Sequence, residues 1–445
     1  MGCAVVVGKA NRKHRAAKRV SQSDADLWVA QGVPVDREPS AGEIGNAIMA
    51  AAMQSAQGGV GGKTARGDSG IAKRFGVLFA GAGALTGEVG YGTQLAGQRI
   101  IGRAFEYGWL PADIAQAAQR RTDAFVSGFL IDVIAGYVRP FAAGTVHETW
   151  HAQFGELGAD VWWSESATHI SQWAAKHMLT AEEAMTAVVE ALALLLLLPK
   201  MELIRPLPGT ARPQSDVPHH VDEKVLGRVR GLLAKAESTS FPEEAEALSA
   251  KAQELMTKYA VDRVLVDADT SAVDLPGARR IWLDTPYTDA KALLIDAVAN
   301  ANRSRAIFMS DWGFVTIVGD DADLDAVEVL STSLLVQATR AMIGIDNNET
   351  RTDARTFRKA FLVAYATRIG ERLAAATAAT IAQSAAPERL LPVLASHQLA
   401  VDNAFETLFP QSRSRGITIR SAEGWDAGRA AADRARLDAR RTLDK

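Results

Sequence analysis

The residues best suited to chemistry are two histidines with a glutamate between them. The run His147-Glu148-Thr149-Trp150-His151 places the histidines four positions apart, which on a helix puts both imidazoles on one face. Two such imidazoles can bind Zn²⁺ together, while Glu148 acts as general base on the metal-bound water. Glu165 and His169 are the nearest candidates for a further ligand. The pattern predicts a zinc-dependent metallohydrolase with Glu148 as its catalytic residue.

The same residues also fit an ordinary helix. Thr145 and Glu148 match a capping box, in which the glutamate bonds back to the first backbone N–H. Trp150 and Phe154 continue an apolar stripe at helical spacing, and Gly158 is a natural stop. Sequence leaves both interpretations open.

Three further motifs resemble ligand-binding sequences and depart from them at required positions. The run Gly58–Thr64 resembles a P-loop, but Gln57 stands where its first glycine is needed. Gly81-Ala-Gly83 resembles a dinucleotide fingerprint, but Thr86 replaces a glycine. Asp321-Ala-Asp323-Leu-Asp325 resembles the start of an EF-hand without its glycine. We therefore expect the first motif to be a Gly-rich linker, the second to be a chance match and the third to be the start of a helix. No cofactor is expected unless zinc binds.

The net charge of -3 hides an uneven distribution. Residues 1–22 carry +6, and residues 351–372 and 413–445 carry +4 each, so the remainder carries -17. Cations at this density are typical of phosphate binding, so nucleic acid is the predicted partner class. The alternative is a solvated face paired with the acidic body. The candidate nucleic-acid-binding residues are Lys9, Arg12, Lys13, Arg15, Lys18, Arg19, Arg355, Arg358, Arg368 and Arg372.

Composition excludes several classes of protein. Hydrophobic residues make up 48% of the 445 and charged residues 23%, which excludes a wholly disordered chain or a fibre. The one cysteine, Cys3, excludes an internal disulfide framework and suits a reducing compartment. The most apolar run, Ala191–Leu198, is too short to span a bilayer. We expect a cytoplasmic protein without a membrane partner.

Periodicity predicts a mostly α-helical chain with a small α+β module, comprising a helical layer, a helical hairpin and a short antiparallel sheet packed by helices. Ser40 with Glu43 and Thr180 with Glu183 form capping boxes, and Asp311-Trp312-Gly313 joins two strands. Lys224, Arg228, Arg230 and Lys235 give the hairpin a basic side. The predicted regions are a weakly structured basic and Gly-rich 1–75, a helical 76–205, a hairpin 222–263, a mixed module 276–385 and a basic helical tail 386–445.

The hairpin carries a family resemblance. Val225-Leu-Gly-Arg-Val-Arg-Gly-Leu-Leu-Ala-Lys-Ala-Glu-Ser, with Phe241-Pro-Glu-Glu-Ala-Glu-Ala and Ala250-Lys-Ala-Gln-Glu-Leu-Met, resembles the domain of unknown function family 2786. The mixed segment is similar to the module that follows this hairpin. Gly108-Trp-Leu-Pro-Ala-Asp and Gly424-Trp-Asp-Ala-Gly-Arg resemble the flanks of actinobacterial members. The resemblance implies a cytoplasmic bacterial protein, sometimes linked with mobile elements, and assigns no chemistry.

These observations favour a helical binding protein without enzymatic activity, with nucleic acid as its partner. A zinc-dependent hydrolase built on His147, Glu148 and His151 is the first alternative. An adaptor whose hairpin docks a partner protein is the second.

Overall fold

The computed structural model describes residues 38–58, 67–81, 85, 87–211, 220–238, 248, 251–259, 276–346, 354–383, 387–410 and 421–434. The chain divides into two compact units. Unit 1 comprises residues 1–203 and 207–211, and unit 2 comprises residues 204–206 and 212–445. The described part of the chain is mostly helical with one three-stranded antiparallel sheet, which confirms the predicted fold class.

Unit 1 is helical throughout its described regular structure. Its helices are α1 (Ala41–Gly58), α2 (Ser69–Gly81), α3 (Gly87–Glu106), α4 (Pro111–Arg121), α5 (Ala124–Val138), α6 (Glu148–Leu157), α7 (His169–Lys176) and α8 (Ala181–Leu197). Helix α8 packs against α1, α2, α3 and α5. It lies at the centre of the unit because its alanines and leucines are apolar on nearly every side.

Helix ends in unit 1 follow local sequence rules. The Ser40–Glu43 and Thr180–Glu183 capping boxes both form, as the sequence predicts. Two hydrogen bonds from Thr180, one from its backbone N–H and one from its hydroxyl, lower the pKa of the Glu183 carboxyl. Pro111 opens α4, where its missing N–H costs nothing.

The described part of the predicted region 1–75 contains the helix that the Ser40–Glu43 capping box indicates, and part of a second one. Helix α1 and the first turns of α2 lie there, and Ile44, Ile48 and Phe75 are fully buried. Small side chains allow α1 to pack closely, since a Cβ on Gly45 would lie 3.0 Å from the Gly92 carbonyl oxygen of α3.

Unit 2 combines helices with the sheet. Its elements are α9 (His220–Ser238), α10 (251–259), β1 (Gly277–Trp282), α11 (Thr288–Ala301), β2 (Arg305–Met309), β3 (Phe314–Gly319), α12 (Asp321–Asp346), α13 (Ala354–Ala382), α14 (Pro387–Leu408) and α15 (Ala422–Arg434). Strand β3 lies between β1 and β2, and both pairings are antiparallel. The β2–β3 hairpin turns at Asp311-Trp312-Gly313 as predicted, with Gly313 in the left-handed region at φ 78°.

A buried amide pair connects α10 to the mixed module. The Gln253 side chain is fully buried, and its Nε2 lies 3.0 Å from Asn302 Oδ1 and 3.3 Å from Thr377 Oγ1. Asn302 Nδ2 donates to the Val298 carbonyl at 2.8 Å. Apolar side chains surround these groups, so each amide depends on the other to replace water.

The last described helix, α15, lies very close to the backbone of α13. A Cβ placed on Gly424 or Gly428 would collide with the carbonyl oxygens of Phe357 and Phe361, respectively. Both glycines are therefore required by the close approach of α15. No helix of the described residues is long and apolar enough to cross a membrane.

Candidate functional site

The two histidines of the predicted zinc motif do not share a helical face as expected. Helix α6 begins at Glu148, and His147 is its N-cap, with Nδ1 accepting a hydrogen bond from the Thr149 N–H at 3.2 Å. The expected Thr145–Glu148 capping box is wrong, because Thr145 ends a 3-10 turn and donates its hydroxyl to the Ala142 carbonyl. A capping histidine has its Nδ1 lone pair engaged by the backbone.

The second histidine of the motif also contacts the backbone. His151 Nε2 lies 3.1 Å from the Ala143 carbonyl oxygen, and this contact is a hydrogen bond when that nitrogen carries the proton. A nitrogen that donates to a carbonyl has no lone pair for a metal. Phe154 packs edge-on against the same ring.

The two further candidate ligands are engaged elsewhere. Glu165 is exposed and pairs with Arg139 at 2.8 Å. His169 begins α7, and its Nε2 lies 2.8 Å from Asp132 Oδ2 of α5. Among the residues that the structure describes, no three His, Cys, Asp or Glu side chains are grouped to hold a metal ion. The four predicted ligands, His147, His151, Glu165 and His169, do not fit a zinc site as placed.

His169 and Asp132 form a well-buried polar contact in unit 1. Each side chain is 11% exposed, and Asp132 Oδ1 also accepts from Trp162 Nε1 at 2.9 Å. The His169 ring lies 4.3 Å from the Trp163 ring and 5.8 Å from that of Phe129. Because both oxygens of the Asp132 carboxylate are bonded, the His169 ring and the Trp162 ring are each held in place. These contacts connect α5 to α7 and to the segment that precedes α7.

The described parts of the three other ligand-like motifs belong to helices. Gly58 of the P-loop-like run ends α1, and residues 59–64 of the run lie outside the described residues. Residues up to Gly81 of the dinucleotide-like run are helical, in α2, where that fingerprint requires a strand. The three aspartates of the EF-hand-like run begin α12, and each pairs with an arginine from another segment: Asp321 with Arg205, Asp323 with Arg303 and Asp325 with Arg279.

Two of the four basic residues predicted on helix 354–383, Arg368 and Arg372, are bonded to other groups of the chain. Arg368 pairs with Glu371 and with Asp433, and Arg372 donates to the Ala432 carbonyl. Hydrogen bonds from Arg368 and Arg429 lower the pKa of the Glu371 carboxyl. This part of α13 therefore contacts α15, and its acidic partners Glu371 and Asp433 come from the basic stretches 351–372 and 413–445 rather than from the acidic remainder of the chain.

The other predicted nucleic-acid-binding residues do not form a continuous basic surface in the described part of the chain. Arg355 is exposed, and Arg358 is half-buried. The arm with Lys9, Arg12, Lys13, Arg15, Lys18 and Arg19 lies outside the described residues.

Helix α9 carries a dense group of exposed cations. Lys224, Arg228, Arg230 and Lys235 are all exposed, and they form what we call the α9 basic face. The first three make no hydrogen bond or ion pair with another described residue. The sequence showed this basic side but did not place it among the candidate sites, because local charge alone does not separate paired cations from unpaired ones.

Comparison with known proteins identifies the same helix. Residues 224–263 match the model of a family described as "Protein of unknown function (DUF2786)", which confirms the resemblance read from the hairpin. The match begins at Lys224 and therefore contains the whole α9 basic face together with α10. Neither the curated proteins nor the solved structures contain a match.

Proposed function

We propose that this chain, which carries a DUF2786 hairpin, is a nucleic-acid-binding protein and that the α9 basic face is its contact surface. The observation that carries the proposal is the contrast between two basic helices. On α13, Arg368 and Arg372 are bonded to α15, whereas Lys224, Arg228 and Arg230 on α9 have no described partner. Unpaired exposed cations can neutralise phosphates at no cost in existing contacts.

The fold holds this face outward. Val229, Leu233 and Ala236 are buried, and α9 packs against α12. The cations consequently lie away from the core on a helix whose position is fixed. From Lys224 to Lys235 the face extends about 16 Å along the helix axis, which is enough to meet more than one phosphate of a strand.

Other parts of the chain are expected to add to the binding. The arm Lys9–Arg19 lies within residues 1–22, which carry +6 and contain no acid, so it supplies long-range attraction. Arg355 is exposed and offers one further cation. Both contributions are electrostatic and independent of sequence, and both fall as salt rises.

The test is a salt series of binding to short duplex DNA, measured by fluorescence anisotropy on the full chain. Each phosphate contact contributes about 0.9 to the slope of log affinity against log salt. Arg228→Gln with Arg230→Gln should therefore reduce the slope by about 2, with unchanged folding. The matched control is Lys73→Gln with Lys200→Gln, which removes two exposed cations of unit 1 and should leave the slope nearly unchanged. No binding at low salt, or equal effects of the two double variants, contradicts the proposal.

The zinc-hydrolase alternative has less support, because His147 and His151 contact backbone groups and Glu165 pairs with Arg139. Metal analysis of the purified full chain tests it directly. Zinc near one ion per chain, lost in the His147→Ala, His151→Ala variant, would support that alternative.

A further inference from the structure

A cavity of about 280 Å³ lies in unit 1, near the C-terminal ends of α1, α3 and α8. Its volume is close to the lower end of the range for small-molecule pockets, which is about 300 to 1,000 Å³. The leucines Leu195–Leu198 of α8, together with Ile100 of α3 and Ala56 of α1, form an apolar wall. Such a wall suits an aliphatic chain, because burying methylene groups against it removes them from water.

Two polar side chains border this apolar wall. Arg103 and Tyr107 lie one turn apart and both line the cavity. The Arg103 Nη2 donates to the Tyr107 hydroxyl at 2.6 Å, and its guanidinium carbon lies 4.9 Å from the centre of the Tyr107 ring. Arg103 is exposed and forms no ion pair with any residue that the structure describes. The remaining N–H donors of its guanidinium are therefore available to a ligand.

The helix ends around the cavity do not use this guanidinium. At the end of α3, the carbonyls of residues 103, 104 and 105 each accept a backbone N–H from the turn that follows. The Leu195 carbonyl of α8 likewise accepts from the Leu198 N–H. The partial negative charge of a helix C-terminus resides on unbonded carbonyls and falls off within the last turn. Bonded carbonyls therefore oppose a bound anion less than the full charge of Arg103 attracts it.

The acidic side chains closest in sequence lie away from the cavity. Glu106 and Glu202 do not line it. Around the axis of α3, Glu106 lies roughly 60° from Arg103, on the side away from the other α3 residues of the wall. Burial and, to a smaller extent, the charge of Glu106 raise the pKa of the Tyr137 hydroxyl on α5, which places Glu106 toward that helix. Within the described part of the chain, Arg103 is therefore the one charged side chain that lines the cavity.

We infer that this cavity binds a medium-chain aliphatic carboxylate, with the carboxylate on Arg103 and the chain against the apolar wall. A guanidinium can bind a carboxylate through two parallel N–H···O bonds. At about 30 Å³ for each water-sized group, the cavity accommodates roughly nine such groups, which is close to the size of octanoate. The site lies in unit 1, so it is separate from the proposed DNA contact of α9 in unit 2.

The experiment is a ligand-observed NMR titration of the full chain with octanoate, 1-octanol and octylammonium. We expect octanoate to bind with a Kd below about 1 mM and the other two ligands to bind at least about tenfold more weakly. Arg103→Gln should weaken octanoate binding about tenfold and leave octanol binding unchanged. Arg99→Gln is the matched control, because Arg99 is an exposed arginine one turn earlier on α3 that contacts Asn46 and does not line the cavity. It should bind like the parent.

A second variant tests the apolar wall. Ala56→Leu places a larger side chain in the wall and should weaken octanoate and octanol alike, in a variant whose thermal unfolding confirms that it is folded. Three results would each overturn the inference: no octanoate binding at about 1 mM, octanol or octylammonium binding as tightly as octanoate, or equal effects of Arg103→Gln and Arg99→Gln.

Discussion

The substitution Gln253→Glu would place a carboxyl inside the junction between α10 and the mixed module. The protonated form of that carboxyl can still donate to Asn302 Oδ1, so it would keep the contact that Gln253 makes at 3.0 Å. The ionised form would face Asn302 Oδ1 and two threonine hydroxyls, Thr257 and Thr377, with the site fully buried. Burial should therefore raise the pKa of the new carboxyl strongly in the folded protein.

The size of the effect follows from proton linkage. A glutamate has a pKa of about 4.3 in the unfolded chain, and fully buried examples reach about 8 to 9. Because the folded pKa is the higher one, the variant should match the parent below about pH 4.3 and lose stability as pH rises. The loss should grow by about 1.4 kcal/mol per pH unit and reach about 4 kcal/mol at pH 7.

Urea unfolding at several pH values, with hydrogen exchange of residues 251–259 as the local probe, measures this difference between variant and parent. Gln94→Glu is the matched control, because Gln94 is exposed on α3 and its substitution should show no such slope. The difference in free energy of unfolding between variant and parent could stay below about 1 kcal/mol at pH 7, or not change with pH. Either result would refute the reasoning that water does not reach the Gln253 amide.

Three further predictions concern contacts elsewhere in the chain. Asp132→Ala leaves the His169 and Trp162 donors without an acceptor and should lower the free energy of unfolding by about 3 kcal/mol. Asp132→Asn keeps one acceptor and should lower it by about 1 kcal/mol. Equal losses in the two variants, measured by thermal unfolding, would contradict the geometry. Gly428→Ala should destabilise the protein by about 1 to 3 kcal/mol because its Cβ would clash with the Phe361 carbonyl. Gly344→Ala has open space at its Cβ and should not destabilise the protein. Similar melting temperatures of the two variants would argue against the close approach of α15 to α13. Thr180→Ala should raise the pKa of Glu183 toward its ordinary value, as measured by an NMR titration. Because the pKa of Glu183 is lowered in the folded parent, the stabilisation by this pair should disappear as pH falls through that pKa.

Local rules were enough for several helix ends and for the β2–β3 turn. Thr180 with Glu183, Pro111 and Gly313 act through neighbours within a few residues, so their roles could be predicted from sequence. The run from His147 to His151 could not be resolved in the same way. Whether His147 lies inside a helix or caps it depends on where the preceding turn ends, and a shift of one residue changes which groups its ring faces.

Charge pairing was also beyond the reach of local rules. The partner of Arg368 is Asp433, which lies 65 residues away, and the partner of Asp321 is Arg205, which lies 116 residues away. Sequence shows how many cations a stretch carries, but pairing across such distances decides which of them remain available. Sequence therefore placed the α13 cations among its candidates beside the arm Lys9–Arg19, although Arg368 and Arg372 are bonded to α15.

The sealed amide pair has a practical consequence for how this family segment can be handled in the laboratory. The family match ends at residue 263, yet Gln253 reaches Asn302 and Thr377, and α9 packs on α12. A peptide limited to residues 224–263 would expose Val229, Leu233 and Met256 to water and leave the Gln253 amide without its partners. A fragment meant to retain the fold of the hairpin should therefore include α9 to α15, residues 220–434, so the boundary of the family is not the boundary of a folding unit.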